Sequence, residues 1–260
     1  MSENVQKTLR DSAALRWLAL ILLAGAMFCS YIFMDILSPI KDLMWDTKGW
    51  DSTAFGTMQG SETFLNVFVF FLIFAGIILD KMGVRFTAIL SGAVMLVGAS
   101  INWYALTDMF AGSNLEVWFN EHLNYIPGFD ELGVSPFYKG MPASAKFSAI
   151  GFMIFGCGVE MAGITVSRGI VKWFKGREMA LAMGSEMALA RLGVATCMIF
   201  SPMFARLGGE VSVSRSVAFG VVLLMVALIM FIVYAFMDKK LDSQTGEAEE
   251  KDDPFKISDL

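Results

Sequence analysis

The sequence predicts an all-α integral membrane protein with six transmembrane helices, and three observations support that prediction. First, 56% of the 260 residues are hydrophobic even without the 24 glycines, and only 17% are charged. Soluble domains average about 45–50% apolar residues with glycine included and about 25% charged residues. Second, six continuous apolar stretches each reach the length of about 20 residues that a spanning helix needs. Third, the basic residues are distributed unevenly among the connections between these stretches.

The same composition excludes other classes of protein. A disordered chain requires low hydrophobicity, and an ordinary soluble domain requires more polar surface than this chain has. Strands of a membrane β-barrel alternate in polarity, whereas these apolar stretches are continuous. The first stretch is also much longer than the ~7–15 apolar residues of a cleaved signal peptide. The predicted spans are residues 15–40, 57–79, 86–107, 147–167, 179–205 and 214–237.

The basic residues predict the orientation of the bundle. If the N-terminus is cytoplasmic, thirteen of the 20 Lys and Arg residues lie in inside segments, six lie in outside segments, and Arg191 lies within a span. Both termini are therefore expected inside. The predicted organisation is a cytoplasmic N-terminus at 1–14, a six-helix bundle at 15–237 with an outer loop at 108–146, and a cytoplasmic linker at 238–260. We expect a short helix at 114–125 and interpret the acidic linker as leading to a second half that is missing from this chain.

Charged residues within spans are costly and usually functional. At a rise of ~1.5 Å per residue in a hydrocarbon core of about 30 Å, Glu160 in the fourth span and Arg191 in the fifth lie at depths in the membrane that differ by about 8 Å. They form either a structural ion pair or a substrate site. In such a site the carboxylate would bind an ammonium group and the guanidinium would bind a carboxylate through two hydrogen bonds. Asp35 and Glu62 are expected at a water-facing rim, and Asn66 lies on the same helix face as Glu62.

The remaining reactive residue types show no pattern of catalysis or of metal binding. The three cysteines lie inside apolar stretches and are expected to be small core residues. His122 lies in the outer loop without partners at metal-ligand spacing. We therefore expect no enzyme activity, no cofactor, no metal and no nucleic-acid partner. Four glycines of the fourth span predict close helix packing, namely Gly151, Gly156, Gly158 and Gly163.

A motif stands between the second and third spans. It reads G-x-x-x-D-K-x-G-x-R over residues 76–85 and resembles the signature loop of the major facilitator superfamily. Here Gly76 is expected to permit close helix approach, and Gly83 to permit a tight turn. The resemblance implies half of a 12-helix fold, built as a 3+3 inverted repeat. It also implies a gating role on the cytoplasmic side for Gly76, Asp80, Lys81, Gly83, Arg85 and Arg168.

The connection between the fourth and fifth spans resembles one branch of this superfamily. Residues 168–193 include Trp173-Phe174, a basic-acidic step at 177–178, and Ala190-Arg191-Leu192-Gly193. This segment is similar to the lysosomal dipeptide uniporter branch and its bacterial relatives. That resemblance implies that Glu160 and Arg191 bind the two termini of a peptide.

The sequence thus predicts a transporter, secondary active or facilitative, that moves a small zwitterionic solute by alternating access, with dipeptides as the first expectation. Its expected partners are that solute, the lipid bilayer, and a C-terminal six-helix half or a second copy of the chain. One alternative is a six-span channel or pore subunit acting as an oligomer. Another is a major facilitator half that carries a different organic anion or a sugar. The expected location is a bacterial inner (plasma) membrane.

Overall fold

The computed structural model describes residues 8–245, and the regular elements in that range are helices. Short 3₁₀ helices occupy Leu9–Asp11 and Ser38–Ile40. The α-helices of the described range are α1 (Ala13–Met34), α2 (Lys41–Lys48), α3 (Ser52–Phe68), α4 (Phe71–Ala105), α5 (Asn114–His122), α6 (Ala143–Phe174), α7 (Met179–Ala205) and α8 (Val213–Thr245).

Five helical segments of the described chain are long and apolar enough to cross a membrane. They are Ala13–Lys48, Phe71–Ala105, Ala143–Phe174, Met179–Ala205 and Val213–Thr245. These segments confirm a multi-pass integral membrane protein. The difference from the predicted six lies at the second span, which is divided at Phe70 because this residue adopts a φ of 55°. Its first part is α3, with only 17 residues, and its second part continues into the third span as α4.

Helix α4 is not regular throughout. Gly83 has φ 82° and ψ 169°, so helical geometry is interrupted inside the signature motif. A side chain would be strained at this positive φ, and glycine is the residue that adopts it readily. The predicted turn at Gly83 is therefore confirmed.

Two predicted elements lie in the outer loop and at the end of the described chain. The helix predicted at 114–125 is present as α5. The linker predicted from residue 238 begins too early, because α8 continues to Thr245 and Asp238 is fully buried. The charge of Asp238 is compensated by the ammonium of Lys172, 2.7 Å away, and so the helix stays packed. Lys7 and the acidic part of the predicted linker lie outside the described residues.

The helices pack in pairs at positions where glycine permits close approach. Helix α1 packs against α7 and α8, α6 packs against α3 and α4, and α4 packs against α8. An ideal Cβ placed on Gly156 would lie 1.9 Å from the carbonyl oxygen of Glu62, and one on Gly158 would lie 2.6 Å from Cγ of Met95. Gly151 similarly faces the backbone of Gly98. The predicted close packing is confirmed at these three positions of α6.

The same prediction is wrong at two other glycines. A Cβ on Gly163 or Gly76 would have no neighbouring atom within 4 Å, leaving aside the helix's own adjacent backbone. Within residues 8–245, no other helix comes close to either glycine. The three cysteines agree with the prediction, since Cys29, Cys157 and Cys197 are all buried and free.

The bundle has two distinct ends. At one end the backbone N–H of Leu9 donates to Oε1 of Gln244 over 2.9 Å, so the two ends of the described chain meet close to the signature motif. We call this the signature-loop end. At the opposite end the ammonium of Lys146, which is 1% exposed, donates to the carbonyl of Phe119 and to Oδ1 of Asn124. These bonds attach the 108–146 loop to the start of α6.

Candidate functional site

The two charged residues singled out by the sequence lie on neighbouring helices without binding each other. Glu160 on α6 is half-buried and Arg191 on α7 is exposed. No ion pair joins these two side chains among the contacts of residues 8–245. The guanidinium of Arg191 instead lies over the ring of Tyr31, with 5.5 Å between Cζ and the ring centroid. Both charges are therefore available to a third group.

Tyr31 on α1 is the residue around which this site is organised. It lies within electrostatic range of Arg191, Glu160, Glu186 and Glu62, which belong to three different helices. A cation over a tyrosine ring is attracted by about 0.5–1 kcal/mol at an exposed position. Tyr31 therefore favours this position of the guanidinium without neutralising it. Sequence analysis missed Tyr31, although a phenol in the middle of an apolar span was a usable signal.

A close contact fixes the position of Arg191 relative to α1. A Cβ on Gly193, two residues after Arg191, would lie 2.5 Å from the carbonyl oxygen of Phe28. The backbones of α7 and α1 therefore touch next to the site. Only glycine allows this approach, which brings Arg191 within reach of Tyr31, and the Arg-Leu-Gly order of the sequence acquires a structural reason.

Glu62 is not the water-facing rim residue that the sequence predicted. It is 7% exposed, and its Oε1 is buried with no hydrogen-bond partner among the described residues. Close packing of α3 on Gly156 of α6 removes Glu62 from the surface. It lies within electrostatic range of Glu160 and Asp35. Asn66, one turn further along α3, also has both side-chain polar atoms buried without a described partner.

The signature motif forms ion pairs at its end of the bundle. Arg168, at position 26 of the 32-residue helix α6, makes a short ion pair with Asp80. Arg85 makes an ion pair of 2.7 Å with Asp242 on α8. The motif thus connects α4 to both α6 and α8. Lys81 is exposed.

A second charge cluster, which the sequence did not reveal, lies beside the first. Lys172 contacts the carboxylates of both Asp238 and Asp242 at 2.7 Å. The indole N–H of Trp173 donates to Asp238 over 3.1 Å, and the hydroxyl of Tyr234 lies 3.5 Å from the same carboxylate. Asp238 is therefore fully buried but fully satisfied. Because the sequence placed it in a solvated linker, its structural role was not predicted.

The N-terminal residues close the same end of the bundle. Arg177 after α6 donates to Asp11 over 2.6 Å, and Arg16 lies 3.4 Å from Glu178. The backbone N–H and the hydroxyl of Thr8 donate to the Asp11 carboxylate and, together with the charge of Arg177, lower the pKa of that carboxyl. The connection between α6 and α7 is thus held against the start of α1.

Comparison with known proteins gives relatives of one kind. The lysosomal dipeptide transporter MFSD1 of Pongo abelii is 23% identical over 87% of this chain and 43% of its own length. The human protein of the same name is 22% identical over the same shares, and that of Danio rerio is 26% identical over 43% of this chain and 26% of its own length. The chain thus spans less than half the length of the curated relatives it matches. No solved structure matches it significantly.

The family model covers almost the whole chain. The model described as Major Facilitator Superfamily matches residues 23–259. This range includes the signature motif, the site around Tyr31, most of the first membrane-spanning segment and all of the other four. The relatives, the apolar helices and the ion-paired motif agree with that match. The chain is therefore a member of the Major Facilitator Superfamily of membrane transporters, and it resembles the dipeptide transporter branch.

Proposed function

We propose that this chain carries a small zwitterionic solute, a dipeptide, across a membrane by alternating access. The observation that carries the proposal is the arrangement of Glu160 and Arg191 around Tyr31, on neighbouring helices and without a mutual ion pair. The two charges have the signs needed for the ammonium and the carboxylate of a free peptide. The printed names of the relatives, dipeptide transporters, support the same solute class.

The two residues have separate roles in this proposal. Glu160 accepts hydrogen bonds from the peptide ammonium. Arg191 grips the peptide carboxylate with two parallel N–H donors, a geometry that lysine cannot reproduce. Tyr31 keeps the guanidinium oriented before the peptide arrives, so that less side-chain entropy is lost on binding. The alternative of a structural ion pair has less support, because the two side chains do not meet.

We also propose that the bundle crosses the membrane six times as a 3+3 inverted repeat. In this proposal α3 and the start of α4 form the second crossing, and α4 after Gly83 forms the third. The pairing of helices supports the repeat. The contact between the first and fifth crossings, α1 with α7, corresponds to the contact between the fourth and second crossings, α6 with α3, when the two three-helix units are exchanged. The hydrogen bond between Leu9 and Gln244 supports two chain ends on one side. The basic residues favour the cytoplasm for that side, and a bacterial plasma membrane remains our expectation.

The site is proposed to need a second wall. Arg191 is exposed on α7, and a guanidinium facing lipid at the depth of a span costs several kcal/mol or more. Another protein surface, from a C-terminal six-helix half or a second copy of this chain, would cover it and enclose the solute. Robust uptake by reconstituted protein that is demonstrably monomeric and without a second half would overturn this part of the proposal.

Peptides with blocked ends test the proposed site. The chain is assembled in lipid nanodiscs with the second wall that the site needs, a C-terminal six-helix half or a second copy. Its thermal unfolding is then measured with Ala-Ala, with the C-terminal amide of Ala-Ala and with its N-acetyl form. For the parent, both modifications should weaken binding. Arg191→Lys should weaken binding of free Ala-Ala by about 1–3 kcal/mol, the value of a charge-assisted hydrogen bond. It should not weaken binding of the amide further. Glu160→Gln should behave in the same way toward the N-acetyl peptide.

A matched control uses another arginine of the same region. Arg206 is exposed and directly follows α7, so Arg206→Lys makes the same chemical change outside the site and should leave all three peptides unaffected. Equal thermal shifts from free and blocked peptides in the parent would refute the dipeptide site. They would leave the membership of the superfamily intact.

A further inference from the structure

Helix α3 carries a row of three polar side chains, each with at least one buried polar atom that has no hydrogen-bond partner among the described residues. Gln59, Glu62 and Asn66 are three and four residues apart, so they share one face of the helix. Gln59 donates its amide to the carbonyl of Met34 over 3.0 Å, but its Oε1, the Oε1 of Glu62 and both side-chain atoms of Asn66 are buried without a partner among the described residues. Buried polar groups are normally hydrogen-bonded, and unpaired ones are costly.

The charge around this row is unbalanced. Glu62 lies within electrostatic range of Glu160 and of Asp35, and all three are carboxylates. The basic residue of the site is Arg191, whose guanidinium lies over the ring of Tyr31. A plain zwitterion brings one positive and one negative charge, and it would compensate only Glu160 and Arg191. Glu62 would then have no positive partner.

Glu62 is better suited than Asp35 to meet a further cation. Asp35 caps the C-terminal end of α1 and accepts a hydrogen bond from the hydroxyl of Ser38 over 3.3 Å. Glu62 has no such donor, and it is 7% exposed. Its main chain is held against Gly156, where even one added carbon would collide. The carboxylate therefore occupies a fixed place, and little ordering is needed when a ligand arrives.

We propose that Glu62 is a specificity-determining residue that binds a second positive group, the ammonium or guanidinium of a basic side chain in the transported solute. The inference rests on the proposed function, since Glu160 and Arg191 hold the two termini. A cationic side chain lying along α3 also gives the amide oxygens of Gln59 and Asn66 a donor. A neutral side chain of the same length leaves all of these groups unsatisfied.

A pair of matched peptides tests the proposal in the parent chain. Lysyl-alanine and norleucyl-alanine have side chains of the same carbon length, and only the first carries an ammonium. We expect lysyl-alanine to bind at least about tenfold more tightly in nanodiscs, as one charge-assisted hydrogen bond in a buried site allows. Glu62→Gln keeps the shape and removes the charge, so it should abolish the difference. Asp130→Asn makes the same charge change at an exposed position of the outer loop and should preserve it.

The outcomes separate this inference from the function on which it rests. Equal binding of the two peptides by the parent, with both shifts lost in Arg191→Lys, would overturn the role of Glu62 and leave the dipeptide site standing. No shift with either peptide would overturn the proposed function and this inference with it. A stabilisation by Na⁺ alone that lysyl-alanine does not exceed would assign the position to an inorganic cation and also overturn the inference. Because the peptide comparison uses the parent chain, it stands even if Glu62→Gln fails to fold.

Discussion

The closest helix contact of the site permits a sharp test of how the bundle is built. An ideal Cβ on Gly156 would lie 1.9 Å from the carbonyl oxygen of Glu62 and 2.8 Å from its carbonyl carbon, whereas ordinary contacts begin at 3.4 Å. Gly156→Ala therefore requires α3 and α6 to separate by about 1.5 Å locally, since backbone atoms cannot rotate away as side chains do. Overpacking of this kind costs typically 1–3 kcal/mol and occasionally more, and we expect about 3 kcal/mol here.

Gly163 on the same helix is the matched control. A Cβ there meets no neighbouring atom within 4 Å, so Gly163→Ala should be neutral or should stabilise by up to about 1 kcal/mol, the gain in helix propensity over glycine. The same gain applies to Gly156→Ala and lowers its net loss to about 2 kcal/mol. The gain in helix propensity is the same in both variants and cancels when they are compared. The difference of about 3 kcal/mol between their free energies of unfolding therefore measures the steric contact alone.

Reversible unfolding in mixed detergent micelles measures both free energies, and a peptide titration measures the consequence for the site. Because Gly156 fixes Glu62 beside Glu160, Gly156→Ala should also weaken peptide binding, while Gly163→Ala should not change the packing of α3. Equal stability of the two variants would show that α3 and α6 do not touch at this position. The account of how Glu62 becomes buried would then be incorrect.

Three further predictions concern the signature-loop end and the topology. Asp80→Ala removes one partner of Arg168. Since both side chains are about one-third exposed, stability should fall by less than about 1 kcal/mol. Transport cycling should fall far more than peptide binding, and unchanged uptake would count against a gating role. Asp238→Asn should destabilise by about 2 kcal/mol in the unfolding assay, because the fully buried Asp238 loses its charge-assisted bond to Lys172, which is partly exposed and keeps Asp242 as a partner. A loss within about 0.5 kcal/mol would refute that role. A reporter fused after Asp130 should be outside and one after Lys175 inside, and the reverse pattern would refute the orientation.

The parts of the fold that the sequence predicted are those that hydropathy and single residues determine. Continuous apolar runs identified the spanning segments, and 179–205 coincides with α7. The turn at Gly83 was predictable because few other residues adopt a positive φ. The break at Phe70, where φ is 55°, was not predictable, since the apolar run passes through this residue without any change of composition. Hydropathy therefore counted one uninterrupted span where the structure has two helices.

The parts of the site that the sequence missed depend on partners far away in the chain. Asp238 stands in a charged stretch, and nothing local indicates that Lys172, 66 positions earlier, buries it. Glu62 was placed at a rim because it lies near the outer end of the predicted second span, yet α3 packs on Gly156 of another helix and buries it. Tyr31 becomes a central residue only when α7 packs on α1 at Gly193. In each case the sequence shows the residue itself, but the environment of that residue depends on tertiary contacts with distant parts of the chain.

The signature-loop end and the site around Tyr31 differ in whether their buried polar groups already have partners within the chain. At the signature-loop end the buried carboxylate of Asp238 has three donors within 3.5 Å, so this region stabilises the folded chain without help. Around Tyr31, by contrast, buried polar atoms of Glu62 and Asn66 have no described partner, and their desolvation opposes folding. A solute that satisfies these atoms binds only the folded state and adds about 2.7 kcal/mol of stability at a concentration one hundred times its Kd. Thermal shift therefore reports occupancy of the site around Tyr31, whereas changes at Asp238 alter the baseline from which that shift is measured.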